Sequence, residues 1–114
     1  MINLIIEGGK TNSAEYTFWD NINKYCLNNT LNIIGCYGVE NVYSILLGEN
    51  DQVSIPSNVP TIVLIDNAGK NYAIIREIKL LCKDSLYFYY WNMSSFEDLI
   101  LRFPFLMKNQ EEIY

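Results

Sequence analysis

The run Thr61-Ile62-Val63-Leu64-Ile65 is continuously apolar after its first residue and rich in β-branched side chains. A strand built from it has no side suited to water, so it must be covered on both faces. Met1 to Ile6, Leu31 to Cys36 and Leu86 to Trp91 are further short runs, mostly apolar, the last of them aromatic. Between and after them, apolar residues recur at helical spacing. Phe18, Trp19, Ile22, Tyr25 and Cys26 form the first such set, and Val39, Val42, Tyr43 and Leu46 a shorter second one. Ile74, Ile75, Ile78, Leu81 and Cys82 form a third; Phe96, Leu99, Ile100 and Phe103 form the last. The order βαβαβαβα predicts an α/β domain with a mostly parallel four-stranded sheet and right-handed crossovers.

The punctuation agrees with that order. Asn12 or Ser13 is placed to cap the first helix, and Gly38 to make the turn before the second. Residues 48–60 are polar and carry Gly48, Pro56 and Pro60, which predicts a loop with a minor edge strand at Val53 to Ile55. Asn67-Ala68-Gly69 reads as a turn, Ser94 and Ser95 open the last helix, and Pro104 bends or ends it. At 114 residues, the chain reads as a single domain over 1–114.

Composition narrows the function. The chain is 50% hydrophobic, enough for a core, and its net charge is −5. Eight Lys and Arg scattered along the length do not suggest a tight, autonomous nucleic-acid binder. Acidity is nevertheless compatible with nucleic-acid chemistry carried by divalent cations, which reverse the local charge. There is no His, and Cys26, Cys36 and Cys82 are far apart, so the usual zinc sites and His-assisted nucleophiles are excluded. The cysteines read as buried thiols in a reducing cytoplasm. Glu7 interrupts the opening apolar run, which reads against a signal peptide, and no apolar run approaches a membrane span. The nine Tyr either fill strands and helix flanks or form a partner-facing surface.

In open parallel sheets ligands bind beyond the carboxyl ends of the strands. Glu7 ends the first strand and Asp66 the third, while Glu97 and Asp98 follow the fourth in the first turn of the last helix. Glu15 joins them on the stripe of Phe18 and Trp19. Such a carboxylate cluster would repel itself unless a hard cation such as Mg²⁺ offset the charge. Each acid also has a purely structural role open to it. Glu97 completes a capping box with Ser94, Asp98 suits the helix dipole, Glu15 suits a solvated helix face, and Asp66 suits an Asx-turn. Gly8 and Gly9 after Glu7 permit a tight turn or close approach by a ligand. Gly9-Lys10-Thr11 matches the end of a phosphate-binding P-loop, but the positions before it are strand-like and the full pattern fails.

Leu4-Ile5-Ile6-Glu7-Gly8, followed by an aromatic-rich helix, resembles the first motif of Toprim domains. Ile62-Val63-Leu64-Ile65-Asp66-Asn67 resembles their second, acidic motif. The run from Ile33 to Val42 is similar to the strand-Gly-helix between those motifs in Toprim-like nucleases of the overcoming-lysogenization-defect type. The segment Asn92 to Leu101 is similar to a later acidic helix start in some relatives. The resemblance spans nearly the whole chain and implies a Rossmann-like three-layer domain that binds Mg²⁺ or Mn²⁺ and acts on phosphodiesters. It implies acid-base work for Glu7 and a metal-holding role for Asp66; Glu97 or Asp98 adds a ligand if the last helix starts near Asp66. The family's second motif has two aspartates separated by one residue; here Ala68 stands in the second place. One carboxylate fewer implies a weakly bound metal. Two readings follow: a minimal Mg²⁺-dependent phosphodiesterase or nuclease that meets nucleic acid weakly and through metal, or a degenerate, non-catalytic module within a larger protein assembly. A receiver-like phosphoacceptor at Asp66 is the third, against which stand the single acid after the first strand and the absence of a fifth unit.

Overall fold

The computed structural model describes residues 1–10, 13–56, 58–66, 72–93 and 102. Its elements are β1 (Ile2–Ile6), α1 (Ala14–Cys26), β2 (Leu31–Gly35), α2 (Val39–Leu46), β3 (Thr61–Asp66), α3 (Tyr72–Asp84) and β4 (Phe88–Met93). The four strands form one sheet in the order β2-β1-β3-β4, and every pair is parallel. The α/β, Rossmann-like architecture expected from the four apolar runs is therefore present. The expected fourth helix, with Glu97 and Asp98, falls outside the described residues, as does the turn at 67–69.

Side-chain alternation explains why the central strands are apolar throughout. Leu4, Ile6 and Leu64 pack with Phe18 and Trp19 of α1 on one face. Ile5, Val63 and Ile65 pack with Val42, Ile45 and Leu46 of α2 and Ile75, Ile78 and Cys82 of α3 on the other. Chain path accounts for this division. From β1 the chain steps to β2 in one direction, whereas β2 to β3 and β3 to β4 step in the opposite one. Crossovers of one hand then place α1 on the face opposite α2 and α3.

Local chemistry sets the ends of α1. Ser13 is its N-cap, accepting from the Tyr16 N–H at 3.2 Å, with Glu15 in the first turn and Lys24 in the last. The Asn23 side chain both donates to the Leu31 carbonyl and accepts from its N–H, at 3.0 and 2.9 Å, and so ties α1 to the start of β2. A second polar line crosses the sheet near its amino edge. Asn32 donates to Asn3, and Asn3 donates to Thr61, which satisfies two buried polar residues at the base of the central strands.

β4 and the segment Val53 to Ile55 depart most from the expected elements. β4 starts at Phe88, two residues later than expected, because the Ser85 hydroxyl accepts from the N–H groups of Tyr87 and Phe88 and holds a turn there. Leu86 is correspondingly 86% exposed. Val53 to Ile55 is not a strand. Val53 and Ile55 pack against the α2–α3 face of the core as loop residues, and the Asn50 side chain, accepting from the Gln52 and Val53 N–H groups, organises the loop instead.

Candidate functional site

β1 and β3 are neighbours whose following helices lie on opposite faces, so the crevice beyond their carboxyl ends is the topological switch point of the sheet. Ile6 stands opposite Leu64 in the parallel register. Glu7 therefore follows opposite Ile65, and Asp66 lies one residue further along. The two acids singled out from the sequence end adjacent strands at one edge. The Asp66 side chain, Glu97 and Asp98 lie outside the description.

Glu7 is buried, 7% exposed. Its backbone is held between two turns. The Gly38 N–H donates to the Glu7 carbonyl at 2.8 Å, and the Cys36 N–H donates to the carbonyls of Ile6 and Gly8. On the other side, the Gly8 N–H donates to Glu15 Oε1 at 2.8 Å. Glu15 thus reaches the loop after Glu7, joining the acids at the edge. This contact also bears on the partial P-loop match, because a carboxylate occupies the Gly8 amide and its charge opposes a phosphate there.

The three glycines in this region are dictated by contact. A Cβ on Gly8 would lie 2.3 Å from Ser13 Oγ, and one on Gly9 would enter the Tyr37 ring at 2.0 Å. One on Gly35 would lie 2.7–2.8 Å from backbone atoms of Lys10, Gly8 and Gly9. Tyr37 itself has φ +60°, unusual for a bulky residue, and Gly38 has φ +130°. The Asn41 amide donates to the Cys36 carbonyl at 2.8 Å and supports that turn. The sequence marks Gly38 as a turn but carries no signal for the role of Gly35 or Tyr37. Both depend on β2 delivering its end against the loop after β1, which no local spacing reports.

The electrostatics are negative. Burial first, then the charges of Glu15 and Glu7, push the Cys36 thiol up to about 12. Tyr90 is also raised, by burial, then Cys82, then Glu7. Glu7 is thus felt at both Cys36 and Tyr90. Cys36 remains a protonated thiol at neutral pH and is no nucleophile there. Cys36 and Cys82 are buried as expected from their residue type, whereas Cys26, at the end of α1, is exposed.

Glu7 and Glu15 supply hard oxygen donors of the kind Mg²⁺ and Mn²⁺ take. Among the described residues, no group of three or more Asp, Glu, Cys or His is placed to hold a metal ion. A divalent site here would need Asp66, Glu97 or Asp98 to complete it. Beside Tyr37, a separate cleft of about 410 Å³ lies between α2 and the loop at 49–53. Glu49 and Asp51 line it, so it too is unsuited to a phosphate.

Glu15→Gln should leave the loop in place, because the amide oxygen still accepts from Gly8. Glu15→Ala should cost about 1.5–3 kcal/mol, the usual range for a hydrogen bond to a charged group. Urea unfolding of the two variants checks this, and equal losses would mean that charge rather than the bond holds the loop. Comparison with protein-family models, with curated proteins and with solved structures returns no match to this chain.

Proposed function

We propose that this is a Toprim-like domain with a weak Mg²⁺ or Mn²⁺ site that acts on phosphodiesters of nucleic acid. The observation that carries the reading is the pairing of β1 with β3, which brings Glu7 and Asp66 to the ends of adjacent parallel strands at the switch point. Phosphoryl transfer needs positioning and charge neutralisation more than a special nucleophile, so a chain without His is no obstacle. Glu7 serves as the acid-base group, its backbone fixed by Gly38 and its loop by Glu15. Asp66 serves as the principal metal ligand, with Glu97 or Asp98 adding to it. A bound Mg²⁺ would offset charge on the phosphodiester and lower the pKa of a water. With Ala68 in place of the second aspartate, affinity in the millimolar range is expected, with slow, Mn²⁺-favoured cleavage.

The competing reading is a non-catalytic interaction module that kept the fold. Ala68 favours it, as do Tyr89 and Trp91, alternate residues of edge strand β4 that are 57% and 50% exposed. A Mg²⁺ and Mn²⁺ titration followed by NMR decides between the two. Shifts and Mn²⁺ broadening centred on Glu7, Gly8 and Asp66 are expected, and Asp66→Asn should abolish them while leaving the fold intact. Ala68→Asp should tighten Mn²⁺ binding by about tenfold, since the number of charged ligands tunes such sites over decades. Wild-type spectra unmoved by either ion, with Ala68→Asp no better, would leave the interaction module as the reading.

A further inference from the structure

We infer that the β4-side flank of α3 is the track on which a single-stranded nucleic acid lies as it approaches the edge where Glu7 and Asp66 stand. The inference rests on the phosphodiester reading above and adds a surface to it. Along the sequence the basic residues look scattered, but α3 gathers three of the eight. At 100° per residue, Arg76, Lys79 and Lys83 fall within about 60° of arc, and Tyr72 falls inside the same stripe. Glu77 and Asp84 lie about 120° round the helix from it. An acidic protein therefore carries a charge-segregated helix with one purely basic side.

All three cations are exposed, and none forms an ion pair with a described residue. Lys79 Nζ sits 5.4 Å from the centre of the Tyr90 ring, which puts the stripe on the β4 side of α3. Arg76 and Lys79 stand at i and i+3, and Lys79 and Lys83 at i and i+4, spacings at which like charges destabilise a helix. An anionic partner relieves that repulsion. Helix α3 follows β3 directly, so its first turn, with Tyr72 67% exposed, is the end nearest the carboxyl edge. From there the cations run back along the helix, with about 10 Å between Arg76 and Lys83. A positive track headed by an exposed aromatic suits a single strand, whose bases stack on such rings while its phosphates meet the cations. The site edge is acidic, so the strand needs cations supplied from outside it. α3 supplies them.

The test is binding of a fluorescein-labelled twelve-residue oligothymidylate by anisotropy, in EDTA, between 25 and 200 mM salt. Three phosphate contacts on a single strand predict a slope of log K against log salt of about −2. Arg76→Gln, Lys79→Gln and Lys83→Gln together should flatten the slope to near zero and weaken binding at least tenfold at the lowest salt. Each single change should make it shallower by about 0.7. Glutamine keeps the helix, which circular dichroism verifies, and Lys24→Gln on α1 should leave the slope unchanged. Failure of the wild type to bind, an unchanged slope in the triple variant, or a preference for anionic phosphatidylserine vesicles over the oligonucleotide would overturn the inference. Because EDTA removes any metal, this result is independent of the Mn²⁺ titration. A flat titration with a steep salt slope removes the metal site and keeps the track, and the opposite pair of results does the reverse.

Discussion

Gly35→Ala is expected to destabilise the domain by about 3 kcal/mol, the upper end of the usual cost of overpacking. The added Cβ would lie 2.7 Å from the Lys10 nitrogen and 2.8 Å from both the Gly8 oxygen and the Gly9 carbonyl carbon. All three are backbone atoms, so no side chain can swing aside. The end of β2 and the loop after β1 would have to separate, and the bonds from the Cys36 N–H to the carbonyls of Ile6 and Gly8 would lengthen with them. Gly9→Ala looks worse by distance, with its Cβ 2.0 Å from the Tyr37 ring, but should cost less, about 1 kcal/mol. Its obstacle is the ring of a residue 63% exposed, which can turn outward. Adding Tyr37→Ala to Gly9→Ala should recover most of that loss, whereas adding it to Gly35→Ala should recover none. Urea unfolding midpoints of the four proteins decide this. Equal losses for Gly35→Ala and Gly9→Ala would show that the loop yields as easily as the ring. Because this loop holds Glu7, Gly35→Ala should also erase any Mn²⁺ broadening there.

The sheet was readable because its central strands are buried on both faces, and that state writes itself into the sequence as unbroken apolar runs such as Ile62 to Ile65. The carboxyl-edge placement of Glu7 and Asp66 followed from the same alternation, since parallel strands end on one side. Contacts that turn these acids into a site were less legible. Glu15 shares a helical stripe with Phe18 and Trp19, which brings it toward the sheet, yet nothing in that spacing says that it ends on the Gly8 amide. The late start of β4 depends on a single serine hydroxyl competing for two amides. Val53 and Ile55 looked like a strand because they alternate, but alternation also serves a loop that lays two side chains on a core. The α3 stripe was available from the numbering alone. Listing Lys and Arg along the chain hides it, because the helix, rather than the sequence, makes 76, 79 and 83 neighbours.

The stability of the domain should fall steeply in alkali, and two thiols should account for much of the fall. Cys36 and Cys82 are 3% and 5% exposed in the α2–α3 side of the core. Burial is the principal cause that pushes Cys36 from 9.0 up to about 12, with Glu15 and Glu7 adding to it. Burial alone pushes Cys82 from 9.0 to about 11. Below pH 9 both thiols are protonated in the folded and the unfolded chain, and they impose no pH dependence. Above it the unfolded chain releases these protons and the folded chain does not, so each added pH unit favours unfolding by up to about 1.4 kcal/mol per thiol. That slope ends when the folded thiol itself ionises, near 11 for Cys82 and near 12 for Cys36. By pH 11 Cys36 alone should have removed about 2–3 kcal/mol. Cys36→Ala will lose packing at every pH, and that constant loss is not the quantity of interest. The expected result is a curve of unfolding free energy that starts lower than wild type at pH 8 and converges on it by pH 11. Cys82→Ala should converge over a narrower window. A Cys36→Ala curve that stays parallel to wild type from pH 8 to 11 would show that this thiol ionises in the folded domain as freely as in the unfolded chain.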